Sequence, residues 1–483
     1  MSKPAPGNIT LVRGLSLIAA ISIVVGNVIG TGVFLKTRVM TCNVGSPGWV
    51  IAAWVISGLL SLAGALTYAE LAAMMPRAGG EYVFVREAYG APLGFLYGWM
   101  QIFIGKTGSQ AALAIGFATF LNILTGGALR AVLFTLDIFG YKFSFRVLQA
   151  VGLGAIAFVT LINCAAVKVS GMVASVLTGI KIALVLAVGV GAFLFATGDW
   201  SHFVLADTGG VCEGVSAAAR GGMAGFGAAM LGALWAYDGW NNLTLVAGEV
   251  KNPQRNIPLG LIGGMLVVAT LYILVNLAYF YVLSPTEVAN VPAASSVATE
   301  VAMRFLGPLA VSLIAAALLT SSFGTLHISI LTGARVPYAM SRDRLFFGNL
   351  ARLSPRTHVP IRALIVQGVW AAILTLSGSY DTLTDYVIFA SWIFYGLVTF
   401  AVFLFRHRLP NAERPYRAWG YPVVPVIFLL VTGWLLVNTL MTTPRQALAG
   451  LGLIALGIPV YWYVSRRNRV AYVETPPDQD EEH

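Results

Sequence analysis

The sequence predicts an all-α membrane protein of twelve transmembrane helices, and three observations carry that expectation. Charged residues make up only 10% of the 483 residues and hydrophobic residues 58%, whereas soluble domains are about 25% charged. The apolar residues gather into runs that match the roughly 20 residues a bilayer crossing requires. The basic residues alternate between dense and sparse connections, as in a multi-pass chain. These features exclude an ordinary water-soluble enzyme. The net charge of +10 is diluted among apolar runs and forms no continuous face for nucleic acid.

Reading the apolar runs against Pro, Gly and charge places the spans at 15–41, 48–74, 91–124, 147–166, 169–197, 222–247, 257–283, 307–340, 361–378, 383–406, 421–441 and 446–465. With the N-terminus inside, 20 of the 30 Lys and Arg fall on the inner side and 8 on the outer, while Lys106 and Lys181 lie within spans. The excess predicts both termini in the cytoplasm and a cytoplasmic (inner or plasma) membrane location. The expected layout is a short N-terminus at 1–14, a first five-helix repeat at 15–200 and an extracellular loop at 201–221. A second five-helix repeat at 222–406, two peripheral helices at 407–466 and a disordered tail at 467–483 follow. Cys42, Cys164 and Cys212 are too few and scattered for a disulfide framework or a zinc site, and whether Cys42 and Cys212 pair stays open. The N-terminus lacks the cleavage pattern of a signal peptide.

Two spans are interrupted. The first reads Gly26-Asn27-Val28-Ile29-Gly30-Thr31-Gly32-Val33-Phe34, and the sixth Leu234-Trp235-Ala236-Tyr237-Asp238-Gly239-Trp240-Asn241-Asn242. Breaks at corresponding places in two halves point to an inverted-repeat transporter with a site near the midplane. Unwinding frees N–H groups at one half-helix start and carbonyls at another half-helix end. The former hold a carboxylate and the latter an ammonium, so paired breaks suit an α-amino acid. A competing account for the first break is packing, because Gly26 and Gly30 also spell a close-contact GxxxG face; the matching break in the sixth span favours a site.

Asp238 fits several roles: attraction of a substrate ammonium, a proton carrier, a backbone carbonyl donor, or a cap on the following half-helix. Lys181 sits about a dozen residues from either end of the fifth span, about 15 Å at 1.5 Å per residue, too deep for its ammonium to snorkel out. It is read as a buried functional lysine. Lys106 is left without a role; Gly105-Lys106-Thr107 is no phosphate loop, because Met100 stands where its first glycine belongs. Trp235, Trp240 and Trp392 are candidate lids or walls, with Trp235 and Trp392 as candidate gates. Thr320, Ser321, Ser322 and Thr325 either line a cavity or bond their own helix. The five histidines show no metal spacing and no nucleophile stands in a catalytic context, so no metal, cofactor or catalysis is expected.

With these residues the chain resembles the amino acid–polyamine–organocation transporters, and within them the bacterial relatives of the L-type amino acid transporters and the serine/threonine exchanger. The signatures begin with Gly26–Phe34, Tyr68-Ala69-Glu70-Leu71 and Pro76-Arg77-Ala78-Gly79-Gly80-Glu81-Tyr82. Asn163-Cys164, Tyr237–Asn241, Gly248-Glu249 and Asn252–Pro258 follow. Last come Arg335, Ser341-Arg342-Asp343 and Arg414-Pro415-Tyr416-Arg417. The resemblance covers most of residues 10–440 and implies a LeuT-like fold of two inverted five-helix repeats, with helices 1 and 6 broken. It implies that N–H groups of Thr31, Gly32 and Val33 hold a substrate carboxylate. Carbonyls of Val28, Trp235, Ala236 and Asp238 would hold its amino group, with Trp235 closing over it and Asn241 nearby. Lys181 matches the lysine that stands where sodium-coupled relatives bind sodium, which implies sodium independence.

The sequence departs from the eukaryotic pattern in two places. Eukaryotic L-type transporters join a heavy subunit through a cysteine in the third-to-fourth loop; residues 125–146 contain none, so no disulfide-linked heavy subunit is expected. Eukaryotic members often carry glycine where Asp238 stands, which leaves cationic substrates open. The expectation is a sodium-independent amino acid transporter, exchanger or proton symporter, working by alternating access on neutral L-amino acids in a lipid bilayer. A cationic amino acid or polyamine exchanger is the nearest rival. A receptor would need a soluble signalling domain, for which the tails are too short.

Overall fold

The computed structural model describes residues 11–138, 141–165, 167–206, 210–292, 295–377, 380–442 and 444–474. Among these, nine helical stretches are long and apolar enough to cross a membrane, and three shorter apolar helices accompany them. The chain is a multi-pass membrane protein.

The first span is two helices, α1 (Leu17–Val28) and α2 (Gly32–Val44). Ser16 starts α1 by accepting the Ala19 N–H on its hydroxyl, and Gly45 stops α2 in the left-handed region at φ 76°. The second span is α3 (Pro47–Met74), opened by a proline that needs no hydrogen bond there. A short α4 (Glu81–Tyr89) leads to the third span, which is α5 (Ala91–Met100), one π-helical turn at Gln101–Gly105, and α6 (Lys106–Leu124).

Next comes a departure from the all-α expectation. Strands β1 (Val132–Ile138) and β2 (Tyr141–Arg146) pair antiparallel, with Thr135 opposite Ser144 and the Phe134 and Phe145 rings stacked at 4.9 Å. Val-Leu-Phe-Thr-Leu-Asp-Ile and Tyr-Lys-Phe-Ser-Phe-Arg are rich in β-branched and aromatic residues, which suit a strand ladder better than a helix.

Helices α7 (Val147–Asn163) and α8 (Val167–Phe195) complete the first half. The second opens with α9 (Gly222–Tyr237) and a one-turn α10 (Asn242–Leu245), then the long α11 (Pro253–Val282). Two surface helices, α12 (Pro285–Asn290) and α13 (Val297–Leu306), precede α14 (Leu309–Gly333) and its continuation α15 (Arg335–Arg342). Helices α16 (Ile361–Ser377), α17 (Tyr380–Arg408), α18 (Val423–Thr442), α19 (Pro444–Ala455) and α20 (Gly457–Glu474) follow. The tail expected to be disordered from 467 is therefore helical to Glu474, and residues 475–483, like 1–10, lie outside the described residues.

The two halves interleave: α2 packs along α9, α3 along α11, α6 along α14, and α7 along α16. One bond closes an open point of the sequence. Cys42 at the end of α2 is disulfide-bonded to Cys212 in the 205–221 connection, 170 residues away. Sequence spacing could not reveal a bridge whose partners meet only after the halves fold together.

The opposite end of the breaks, the face holding Leu15, is tied shut. Leu15 donates its N–H to the Glu249 carbonyl and accepts the Lys251 N–H on its own carbonyl, both at 2.9 Å, which makes a parallel bridge to Val250. Glu249 and Arg335, both fully buried, form a bidentate pair at 2.7 and 2.8 Å. The Gly79 N–H donates to the Leu245 carbonyl at 2.9 Å. Glu70 accepts Arg406 twice, at 3.0 and 2.7 Å, and the Ala418 N–H at 2.6 Å, with Arg414 3.4 Å away. Arg86 pairs with Asp343.

Breaking a buried ion pair from one side leaves an uncompensated charge, costing about 3–5 kcal/mol. Arg335→Met is therefore expected to lower the thermal midpoint of the detergent-purified protein clearly, and Arg335→Met with Glu249→Gln to recover part of the loss. Size-exclusion after heating reads both, and an unaltered midpoint for the single variant contradicts the assignment.

Candidate functional site

The site grows from the end of α1. The helix stops at Val28; the Val25 and Val28 carbonyls still take the Ile29 and Gly30 N–H groups, but the Gly26 carbonyl is left without a backbone partner. Lys181, from the middle of α8 and 1% exposed, fills that gap. Its ammonium donates to the Gly26 carbonyl at 2.6 Å, the Ile29 carbonyl at 2.8 Å and Thr325 Oγ1 at 2.7 Å. Ser321 Oγ reaches the Ile29 and Gly30 carbonyls at 3.1 and 3.2 Å. The clustered Thr320, Ser321, Ser322 and Thr325 of α14 thus divide: Ser321 and Thr325 serve the break, while Thr320 and Ser322 bond the Ala316 and Leu318 carbonyls of their own helix.

Gly26 does pack as the GxxxG reading requires, since a Cβ there would meet Thr178 Oγ1 at 2.1 Å; a Cβ on Gly30 would find only ordinary contacts. The first glycine is for packing and the second for the break. Past it, Gly32 and Val33 open α2 with no side-chain cap, so their N–H groups have no acceptor within the helix. Gly32 also brings the two breaks together, because a Cβ would lie 2.6 Å from Ala236 Cβ.

The second break begins at Asp238, whose N–H turns back to the Trp235 carbonyl at 3.1 Å. Gly239 follows at φ 99°, a value that favours glycine, with its carbonyl 3.3 Å from Asn27 Nδ2. One hydroxyl joins the breaks. Tyr272 of α11 points its O–H between the Val28 and Ala236 carbonyls, 2.8 and 3.0 Å away. Nothing local in the sequence marks this tyrosine, which lies 244 residues from Val28.

Asp238 does not cap α10; the residue at that cap position is Asn241, which makes no capping bond. Its carboxylate instead accepts the Tyr395 O–H at 2.7 Å. Asn241 donates to Glu81 Oε2 at 2.9 Å, the same oxygen that takes the Tyr97 O–H at 2.5 Å. Gln101 supports Tyr97 at 2.9 Å. Glu81 is fully buried, and burial pushes its carboxyl above the usual range against the pull of Tyr97 and Asn241. Lys106 donates to Asn242 Oδ1. A buried cluster of two acids, one lysine and two tyrosines thus lies behind the sixth-span break; of these groups the sequence singled out Asp238 and, without a role, Lys106, together with the neighbouring Asn241.

A cavity of about 880 Å³ runs from the loop at Glu213–Ser216, beside Cys212, down to Thr31 and Trp235 at the two breaks. Trp235 is in its wall. Trp392, the other expected gate, is not among the lining residues; it is 4% exposed, stacked on Phe428 at 5.6 Å and edge-on to Tyr395. Phe389, one helical turn earlier on α17, lines the cavity in its place. Trp240 packs on Tyr68 at 4.7 Å and on Tyr395, as part of the wall behind the break. His327 is held as a neutral tautomer: Nε2–H donates to the Ser170 carbonyl at 3.1 Å, leaving Nδ1 to accept from Asn163 at 3.2 Å. It braces α8 and α14 beside Lys181. Among the described residues no group of His, Cys, Asp and Glu is arranged to hold a metal.

Known proteins match this sequence over nearly the whole chain. The profile of the family described as amino acid permease matches residues 15–463. The serine/threonine exchanger SteT of Bacillus subtilis (strain 168) is 32% identical over 459 residues, 95% of this chain and 98% of the relative. The human b(0,+)-type amino acid transporter 1 is 30% identical over 441 residues, covering 91% of this chain and 85% of the relative. The human large neutral amino acids transporter small subunit 2 is 29% identical over 467 residues, 94% and 81% of the two chains. All are transporters and none is an enzyme. A broken first span gripping a buried lysine, a second break beside it, and a family match from residue 15 to 463 have one reading: the chain belongs to the amino acid permease family.

Proposed function

We propose that the chain is a sodium-independent exchanger of neutral L-amino acids that works by alternating access. The observation that carries it is the seat of Lys181. Its ammonium takes the Gly26 and Ile29 carbonyls and Thr325 Oγ1, the acceptors that a coupling cation would otherwise need. The resident charge is covalently fixed, so no sodium ion is required to neutralise the break.

The substrate reading rests on the neighbouring groups. Thr31 lines the inner end of the cavity, and the opening N–H groups of α2 at Gly32 and Val33 that follow it suit a carboxylate. The carbonyls of Val28, Trp235, Ala236 and Asp238 suit the ammonium; Tyr272 fixes the direction of two of them. Trp235 is the aromatic that closes over the ligand, and Asn241, bonded to Glu81, supports the break rather than the ligand directly.

A twelve-span, five-plus-five fold is supported by nine long and three shorter apolar helices, and by the pairing of each of the first four spans with its counterpart five spans later. Orientation is supported from two directions. The basic residues favour the Leu15 face as cytoplasmic, and the Cys42–Cys212 disulfide favours an oxidising exterior for the other. The structure then corresponds to an outward-facing conformer: the exterior cavity reaches the breaks while the ties around Glu249 and Glu70 close the cytoplasmic side. The serine/threonine exchanger among the relatives supports exchange over one-way transport.

Uptake into proteoliposomes tests the proposal with leucine, serine, alanine and arginine, in preloaded and empty vesicles, with sodium replaced by choline, and with and without a pH gradient. Neutral amino acids are expected to enter preloaded vesicles only, whatever the cation. Dependence on sodium, or equal uptake into empty vesicles, overturns the reading. Lys181→Ala is expected to bring exchange near background while the protein stays monodisperse. Tyr272→Phe should raise KM about fivefold, the effect of roughly 1 kcal/mol for one lost hydrogen bond, with a smaller change in kcat.

A further inference from the structure

We infer that the groove between the start of α11 and the Pro415–Tyr416 segment binds one anionic phospholipid, its phosphate at Arg255 and an acyl chain along Pro258, Leu259 and Ile262. Which amino acid the chain carries has no bearing on this site; that it crosses a bilayer does.

The groove has a volume of about 550 Å³ and joins two segments far apart in the sequence. One wall is a stripe of α11. Pro258, Leu259 and Ile262 follow Arg255 by three, four and seven residues, which sets all four on one face of the helix. From Gln254, at the mouth, to Ile262 the stripe runs about 12 Å at 1.5 Å per residue. It turns from polar to wholly apolar as it enters a helix long and apolar enough to cross a membrane. Leu259 is 46% exposed, and Leu266, four residues beyond Ile262 on the same face, is 50% exposed, so the apolar wall continues along the outside of the span. The facing wall is Pro415 and Tyr416, in the connection between α17 and α18.

The mouth is positive and uncompensated. Arg255 is exposed, and its guanidinium makes no hydrogen bond or ion pair among the described residues. Lys251 and Arg417 are exposed nearby in sequence, and the N-terminal end of the α11 dipole has the same sign. The acids of this region are engaged or set aside: Glu249 is paired with Arg335, Glu70 with Arg406, and the exposed Glu413 is not among the lining residues. A guanidinium in that state suits a phosphate, which it can grip through two N–H groups. A free phosphate would use only the mouth, whereas a phospholipid uses the mouth and the apolar stripe below it. Trp419, three residues after Tyr416 and 73% exposed, is the kind of residue that sits at headgroup level.

Each wall is also anchored in the ties of the Leu15 face. Lys251, four residues before Arg255, donates its N–H to the Leu15 carbonyl, and Ala418, two residues after Tyr416, donates its N–H to Glu70. A lipid lying across the groove therefore adds a contact between elements that those ties already hold together.

The test is binding of dioleoylphosphatidylglycerol to the detergent-purified full chain, read by native mass spectrometry against dioleoylphosphatidylcholine, with glycerol 3-phosphate as competitor. Wild type is expected to hold one phosphatidylglycerol more tightly than phosphatidylcholine, and glycerol 3-phosphate is expected not to displace it. Arg255→Gln should weaken that binding about tenfold, the effect of losing a hydrogen bond to a charged group, and Arg255→Lys should restore part of it. Leu259→Trp keeps every charge but fills the groove, and should weaken binding as well. Arg356→Gln removes an exposed arginine of the connection between α15 and α16, outside the groove, and should leave binding unchanged. Equal retention of the two lipids, displacement by glycerol 3-phosphate, or wild-type affinity in Arg255→Gln or Leu259→Trp overturns the inference. So does a loss in Arg356→Gln as large as in Arg255→Gln, because the lipid then answers to the diffuse charge of the face and not to the groove.

Discussion

A lysine ammonium in the middle of a membrane-spanning helix is tolerable only when acceptors surround it, and Lys181 meets that condition because α1 stops where it does. The dependence runs both ways. The carbonyls of Gly26 and Ile29 are free because the helix ends, and they remain unexposed to hydrocarbon because the ammonium and Thr325 Oγ1 fill the space. Neither the break nor the lysine is stable without the other. The rest of the arrangement follows: α8 and α14 must both stand against α1, which His327 secures by tying Ser170 and Asn163 into the same contact.

The second break depends on the first through two close approaches. Gly32 admits the end of α9, and Tyr272 spans the Val28 and Ala236 carbonyls with one hydroxyl. The acceptors proposed for a substrate ammonium are thus held at a fixed separation before any ligand arrives, so little binding energy is spent on ordering them. Behind this front lies the buried cluster around Asp238, Lys106 and Glu81. Glu81 belongs to the Pro76–Tyr82 segment, and that segment also bonds the Leu245 carbonyl through Gly79, so the cluster and the ties of the Leu15 face share one loop.

That sharing accounts for signature residues that touch no proposed ligand. Glu70, Glu249, Arg335, Arg406 and Arg414 bind elements across the Leu15 face, with Glu249 and Arg335 buried as completely as any core residue. Pairs of this kind contribute little net stability relative to an apolar core, but they hold one arrangement of helices and release it as a unit.

Much of this was legible in the chain before it was folded. Composition and the spacing of apolar runs are properties of the sequence itself, and helix interruption at Gly30 and Asp238–Gly239 is a local consequence of glycine and of a charge placed mid-span. Depth along a helix likewise follows from counting residues, which is why Lys181 stood out. Partners do not follow from counting. The Cys42–Cys212 bridge, the Tyr272 hydroxyl between two breaks, the pairing of Lys106 with Asn242, and the burial of Trp392 against Phe428 all join residues from distant segments of the chain. Which side chains meet is decided by how the two halves interleave, because each contact spans a distance in sequence over which local preferences carry no information.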